Sequence, residues 1–91
     1  MMLDEIIQTL EHRPAAYVLL SADGTYRYKG STHDLVERVM QHKTGKVSRT
    51  KNRRPLRLLH FEYFENYTDA RKRELYFKSG AGREWLKRRY P

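Results

Sequence analysis

Ninety-one residues with nineteen Lys and Arg against eleven Asp and Glu carry a formal charge of +8, on a chain of mean hydropathy -0.92. A chain this short makes one domain, 1–91, and the absence of cysteine excludes a disulfide framework, a thiolate nucleophile and a zinc–cysteine cluster. Its longest apolar run, Ala15 to Leu20, is far short of the roughly twenty residues a membrane span needs. Acid at Asp4 and Glu5 stands where a secretory signal carries base, so the expectation is a cytoplasmic protein without a membrane partner.

Leu3, Ile6, Ile7 and Leu10 recur at helical spacing ahead of Pro14 and predict a short N-terminal amphipathic helix. This helix either caps a sheet or makes a dimer contact, and the choice between monomer and homodimer stays open. Ala15–Leu20 has strand length, Asp23-Gly24 a turn, and Thr25 to Lys29 a second strand closed by Gly30, which together make a hairpin. Ser31 stands three residues before Asp34, the pattern of a capping box, and Leu35, Val36, Val39 and Met40 supply the apolar face of a helix over 33–43. Lys43 to Arg54 reads as a loop. Leu56 to Glu65 reads as a third strand of strictly alternating faces, and Thr68 as the N-cap of a helix running to Lys78. Ser79-Gly80-Ala81-Gly82 then breaks the chain before a last helix, Arg83 to Arg89. The expected order is helix, strand, strand, helix, strand, helix, helix, an α+β arrangement.

Charge is concentrated. No Asp or Glu falls between Arg38 and Phe61, whereas Lys43, Lys46, Arg49, Lys51, Arg53, Arg54 and Arg57 do. Like charges so crowded repel unless a polyanion offsets them, and nucleic-acid phosphate is the commonest such partner. Arg38 and His42, four apart, lie on one helix face, a spacing that also suits an ordinary solvated face. Ala70, Glu74 and Phe77 follow the i, i+4, i+7 rule and set a carboxylate beside an apolar stripe, where it needs an arginine or a divalent cation as partner. Tyr17 and Tyr28 occupy adjacent strands, positions that strand propensity alone would explain.

Taken in order, Ala15-Ala16-Tyr17-Val18-Leu19-Leu20, Asp23-Gly24, Tyr28-Lys29-Gly30-Ser31-Thr32, Asp34-Leu35, Arg38 and His42, then Ala70, Arg73-Glu74 and Phe77-Lys78, the chain resembles the GIY-YIG nuclease family. The resemblance runs from residue 15 to about 86, leaves the N-terminal segment 1–13 outside, and is strongest to the small stand-alone bacterial branch. It implies a three-stranded sheet flanked by helices and a metal-dependent endonuclease that hydrolyses DNA, selecting structure more than sequence, in repair, recombination or processing. RNA is left open as a substrate.

By the same resemblance Tyr17 and Tyr28 are the tyrosines of the two motifs, Arg38 the catalytic arginine, His42 the histidine one turn on, and Glu74 the ligand of one Mg2+ or Mn2+. Gly30 lets the backbone approach the substrate. Lys29, with Lys46, Arg49, Lys51, Arg53 and Arg54, would bind nucleic-acid phosphates. The chain departs from the family pattern in Ala15-Ala16 before Tyr17, in Lys29 between Tyr28 and Gly30, and in Ser31 where some members place a lysine. The alternatives are a non-catalytic nucleic-acid-binding module of the same fold and a small basic protein bound to ribosomal RNA or to a protein.

Overall fold

A computed structural model describes residues 2–91. The chain runs α1 (Leu3–Ile6), β1 (Ala15–Leu20), β2 (Arg27–Thr32), α2 (Leu35–Lys43), β3 (Arg57–Tyr63), α3 (Tyr67–Lys78) and α4 (Gly80–Arg89), with single 3-10 turns at Ile7–Thr9 and Lys51–Arg53. The sheet is antiparallel in the order β2-β1-β3, so fold class and element order match the sequence reading. Among the described residues no helix is long and apolar enough to cross a membrane.

Central β1 is apolar at every position because both its faces are covered, the condition under which a strand reads as a continuous hydrophobic run. One face packs Tyr17 and Leu19 with Leu3, Leu10, Leu35 and Val39. The other packs Ala16 and Val18 with Phe77 and Leu86. The N-terminal segment caps the first face: Leu3 and Leu10 are buried there, Met2 bridges to Arg57, and Asp4 pairs with Lys43 Nζ at 2.9 Å.

The differences from the sequence reading are local and have physical causes. β2 starts at Arg27 and passes through Gly30 to Thr32, because Ser21 and Asp23 occupy the hairpin end themselves. Asp23 Oδ1 accepts from Ser21 Oγ at 2.7 Å and from the Thr25 amide at 3.1 Å, bonds that hold its carboxyl down to about 2. The N-cap of α2 is Asp34, accepting from the Glu37 amide, and Ser31 lies in β2, outside any capping box. α2 buries Leu35, Val39 and His42 and leaves Met40 exposed, so a histidine takes a place in the apolar stripe.

β3 does not alternate strictly. Val18 pairs with His60 but Leu19 with Leu58, leaving Leu59 as an extra residue, and this bulge changes the face that follows it. Asn66, not Thr68, caps α3, and Ser79 caps α4, which therefore begins at Gly80. Gly82 lies inside α4 because a Cβ there would stand 1.8 Å from the Tyr76 carbonyl oxygen. Only glycine lets the backbones of α3 and α4 come so close.

Candidate active site

Tyr17 and Gly30 are directly paired across β1 and β2, and the phenol ring of Tyr17 lies on the glycine. A Cβ at 30 would meet the ring carbon and oxygen at 2.5 Å. The glycine is thus required by a side chain of the protein itself, whereas the sequence reading gave it to the substrate. The ring then reaches α2, where the Tyr17 hydroxyl meets His42 Nε2 at 2.8 Å and Arg38 Nε stands 3.4 Å from the same oxygen. Tyr28 sets its ring 5.1 Å from that of His42 and 6.2 Å from that of Tyr17. Four of the five expected catalytic side chains are therefore gathered at one spot.

Behind them is a residue the sequence reading assigned no role. Thr50 is fully buried, and its Oγ1 lies 2.8 Å from His42 Nδ1 and 3.5 Å from the Val47 carbonyl, to which it donates. His42 Nδ1–H therefore donates to Thr50, and Nε2 is left as the acceptor for the Tyr17 proton, an assignment made from the bonding pattern. Burial first, and then the Arg38 charge, lowers the His42 pKa to about 4. Burial raises that of Tyr17 well above the usual phenol range. Near neutral pH the row is Thr50, neutral His42, neutral Tyr17 and the Arg38 cation.

This row makes stability pH-dependent. Unfolded histidine protonates near its ordinary value of 6.5, folded His42 only near 4, so between these values the unfolded chain binds more protons. The His42 contribution is complete above pH 6.5 and is lost as pH falls through about 4, amounting to about 3 kcal/mol. Denaturant unfolding followed from pH 7 to 4.5 should show this slope in the wild type and a flatter one in His42→Asn. Parallel profiles would mean that His42 titrates alike in both states.

Glu74, 5% exposed, is presented by α3 with Ala70 and Phe77, as its spacing predicted. Ser31 donates its hydroxyl to Oε1, while Arg71 Nη1 and Lys78 Nζ approach Oε2 at 2.7 and 2.6 Å. Burial raises the pKa of this carboxyl, but bonds from Lys78, Ser31 and Arg71 outweigh it and bring the net shift down. Of the two partners foreseen for a carboxylate here, the arginine is present as Arg71, joined by Lys78, and both side chains are nearly half exposed. Ser31 and Arg38 line one cleft of about 380 Å³ with Thr32, His33, Gln41 and Tyr67, so Glu74 reaches the cleft through Ser31.

The basic residues divide. Arg54 turns back on its own loop, donating to the carbonyls of Lys51 at 2.8 Å and Lys43 at 3.4 Å, and Arg53 lies 3.9 Å over the Tyr26 ring. Lys46, Arg49 and Lys51 are exposed. Lys29 faces away from the tyrosines, in a cleft against α4.

The family model described as the GIY-YIG catalytic domain matches residues 14–88. The chain belongs to the GIY-YIG family. It is 45% identical to the UPF0213 protein in the ldhD 5′ region of Pediococcus acidilactici over 74 residues, 78% of this chain and 74% of the relative. It is 40% identical to a UPF0213 protein of Bacillus pumilus over 70 residues, 76% of this chain and 70% of the relative. A UPF0213 protein of Listeria innocua is 43% identical over 63 residues, 68% of this chain and 69% of the relative. No solved structure shows a significant match to the chain. GIY-YIG domains are nuclease domains, which implies a nucleic-acid substrate and, in general, a divalent metal ion.

Proposed function

We propose that this GIY-YIG protein is an endonuclease that hydrolyses DNA phosphodiester bonds, with Tyr28, Arg38 and Glu74 acting on the reacting groups. The observation that carries the reading is the Thr50–His42–Tyr17–Arg38 row, whose Arg38 lines the same cleft as Ser31, the residue that donates to Glu74. A buried tyrosine hydroxyl needs one hydrogen-bond partner; here it has two, and the second is a cation that lines the cleft.

Among the described residues no group of three His, Cys, Asp or Glu side chains gathers, so an all-protein metal cage does not fit. One Mg2+ or Mn2+ on a single carboxylate does fit, since hard cations take oxygen ligands and keep waters and substrate phosphate in the remaining positions. Glu74 would hold it, with the Ser31 oxygen beside the carboxylate and Arg71 and Lys78 swinging from Oε2 towards phosphate. When bound, the ion supplies Lewis acidity towards the phosphoryl oxygens.

The protein's own groups supply the rest. Arg38 faces the cleft and stabilises the charge that develops on the phosphoryl group, the kind of preorganised electrostatic help that counts most in such reactions. Tyr17 is sealed in the core with its hydroxyl donating to His42 Nε2 and accepting from Arg38 Nε, so it holds Arg38 and the ring of His42 in place. Tyr28 is only half-buried, and its hydroxyl relays the proton of the attacking water, taking it up while releasing its own proton to solvent. Lys46, Arg49 and Lys51 contribute to phosphate binding.

The reading is tested by incubating the protein with labelled single strands, duplexes, flaps and four-way junctions in Mg2+, in Mn2+ and in EDTA. Cleavage of at least one substrate, lost in EDTA, is expected. Retardation of the same DNA without cleavage in any buffer would favour the binding module. Thr50→Val keeps the volume and removes the acceptor of His42 Nδ1–H, at a cost of about 1–3 kcal/mol for the unpaired donor. Single-turnover cleavage should fall about tenfold through this misorientation and recover in Thr50→Ser. An unchanged rate in Thr50→Val would remove Thr50 from the row.

A further inference from the structure

β2 is an edge strand, and its alternation puts Ser31, Lys29 and Arg27 on one face, about 7 Å apart. Ser31 reaches the Glu74 carboxylate. From there Lys29 and Arg27 continue the row away from Glu74 into a cleft of about 520 Å³, whose far wall is α4 with Arg83 and Lys87. These two are four residues apart and share a helix face. Arg27 is pinned at the end of the row by donating to the Tyr90 carbonyl.

Among the described residues no side-chain carboxylate forms an ion pair with Arg27, Lys29, Arg83 or Lys87. The one acidic residue lining the cleft, Glu84, has Arg88 Nε 3.8 Å from its carboxylate. Lys78, at the Glu74 end, already spends its charge on that carboxylate. Burial, and then the charges of Arg83, Arg27 and Lys78, lower the pKa of Lys29. Positive groups brought together against their repulsion are relieved by a bound polyanion.

We propose that the cleft between β2 and α4 holds the sugar–phosphate backbone of one nucleic-acid strand, running from the Glu74 carboxylate past Lys29 towards Arg27, Arg83 and Lys87. This rests on the reading of the Glu74 site as the place of cleavage and adds where the flanking strand lies. It places the flanking strand on the Glu74 side of β2, where Arg83, although its Nη1 donates to the Lys78 carbonyl at 3.0 Å, stands with Lys29 and Lys87 in one cleft.

The test is binding of a fluorescein-labelled DNA flap in EDTA, measured by anisotropy over a range of salt. Arg83→Gln/Lys87→Gln should lower the slope of log Kd against log salt by one to two units, about 0.7–0.9 per phosphate contact. Lys29→Gln should lower it by about one more. Arg13→Gln/Arg57→Gln removes the same charge beside the opposite edge strand and should leave the slope unchanged.

An unchanged slope in the Arg83/Lys87 variant, or an equal loss in the Arg13/Arg57 variant, would overturn the path. So would an equal loss of binding to phosphatidylglycerol vesicles, which would make the cleft a general anion surface. Because the measurement needs no turnover, cleavage with an unchanged slope would defeat this path alone. A lost slope in a protein that never cuts would defeat the nuclease reading alone.

Discussion

Glu74→Ala should cut no DNA that the wild type cuts, with single-turnover rates down by at least about 10²–10³-fold, the scale on which one electrostatic group at a reacting centre acts. The expectation follows from the poverty of the site. Glu74 is the one carboxylate that Ser31 ties to the cleft; Asp34 and Glu37 also line it, but Asp34 is engaged by His12 and the Glu37 amide, and no metal-holding group of three His, Cys, Asp or Glu gathers among the described residues. Binding in EDTA should move the other way or not at all, because the substitution frees Arg71 and Lys78 from Oε2 and adds one unit of positive charge. Anisotropy and gel cleavage on the same flap measure both. Cleavage retained across a Mg2+ titration would remove Glu74 from the metal site, and loss of binding in step with loss of cleavage would make it a structural residue.

Arg38→Ala should lower the single-turnover rate by a factor on the order of hundreds with little change in Kd. Arg38 Nε lies 3.4 Å from the Tyr17 hydroxyl and Nη1 donates to Gln41 Oε1 at 2.8 Å, so the guanidinium is clamped at two atoms while it faces the cleft. Arg38→Lys should recover little, since an ammonium cannot make both contacts and present a planar donor set to a phosphoryl group. A Lys variant as active as the wild type would mean that charge alone matters. Normal rates in the Ala variant would end the proposed role of Arg38.

The sequence told most where local chemistry decides. β1 was legible because Pro14 and the Asp23-Gly24 turn bound a run of strand length, and α3 because Ala70, Glu74 and Phe77 repeat at helical spacing. The start of α3 lies two residues earlier than Thr68 suggests because Asn66 and Thr68 are both good caps, and it is Asn66 Oδ1 that accepts from the Asp69 amide. α4 was shortened because Gly80 and Gly82 look like breakers until Tyr76 comes against Gly82.

At the site, Tyr17, Tyr28, Arg38 and His42 stood out through a family resemblance, while Thr50 did not. Nothing in a polar loop signals that one hydroxyl will be buried against the second nitrogen of a histidine eight residues before it. Arg71 and Lys78 stand three and four residues from Glu74, so those ion pairs were available from helical spacing. The bond from Ser31 to Glu74 joins β2 to α3 and exists only in the folded chain.

The central claim is that this chain hydrolyses phosphodiester bonds with a metal ion at Glu74, and cleavage in heavy-oxygen water tests it most directly. In Mg2+ the product should carry the label on its new terminal phosphate, no protein should remain attached to the DNA after denaturation, and EDTA should stop the reaction. DNA left intact in every buffer, or captured on a tyrosine as a covalent adduct, would contradict it.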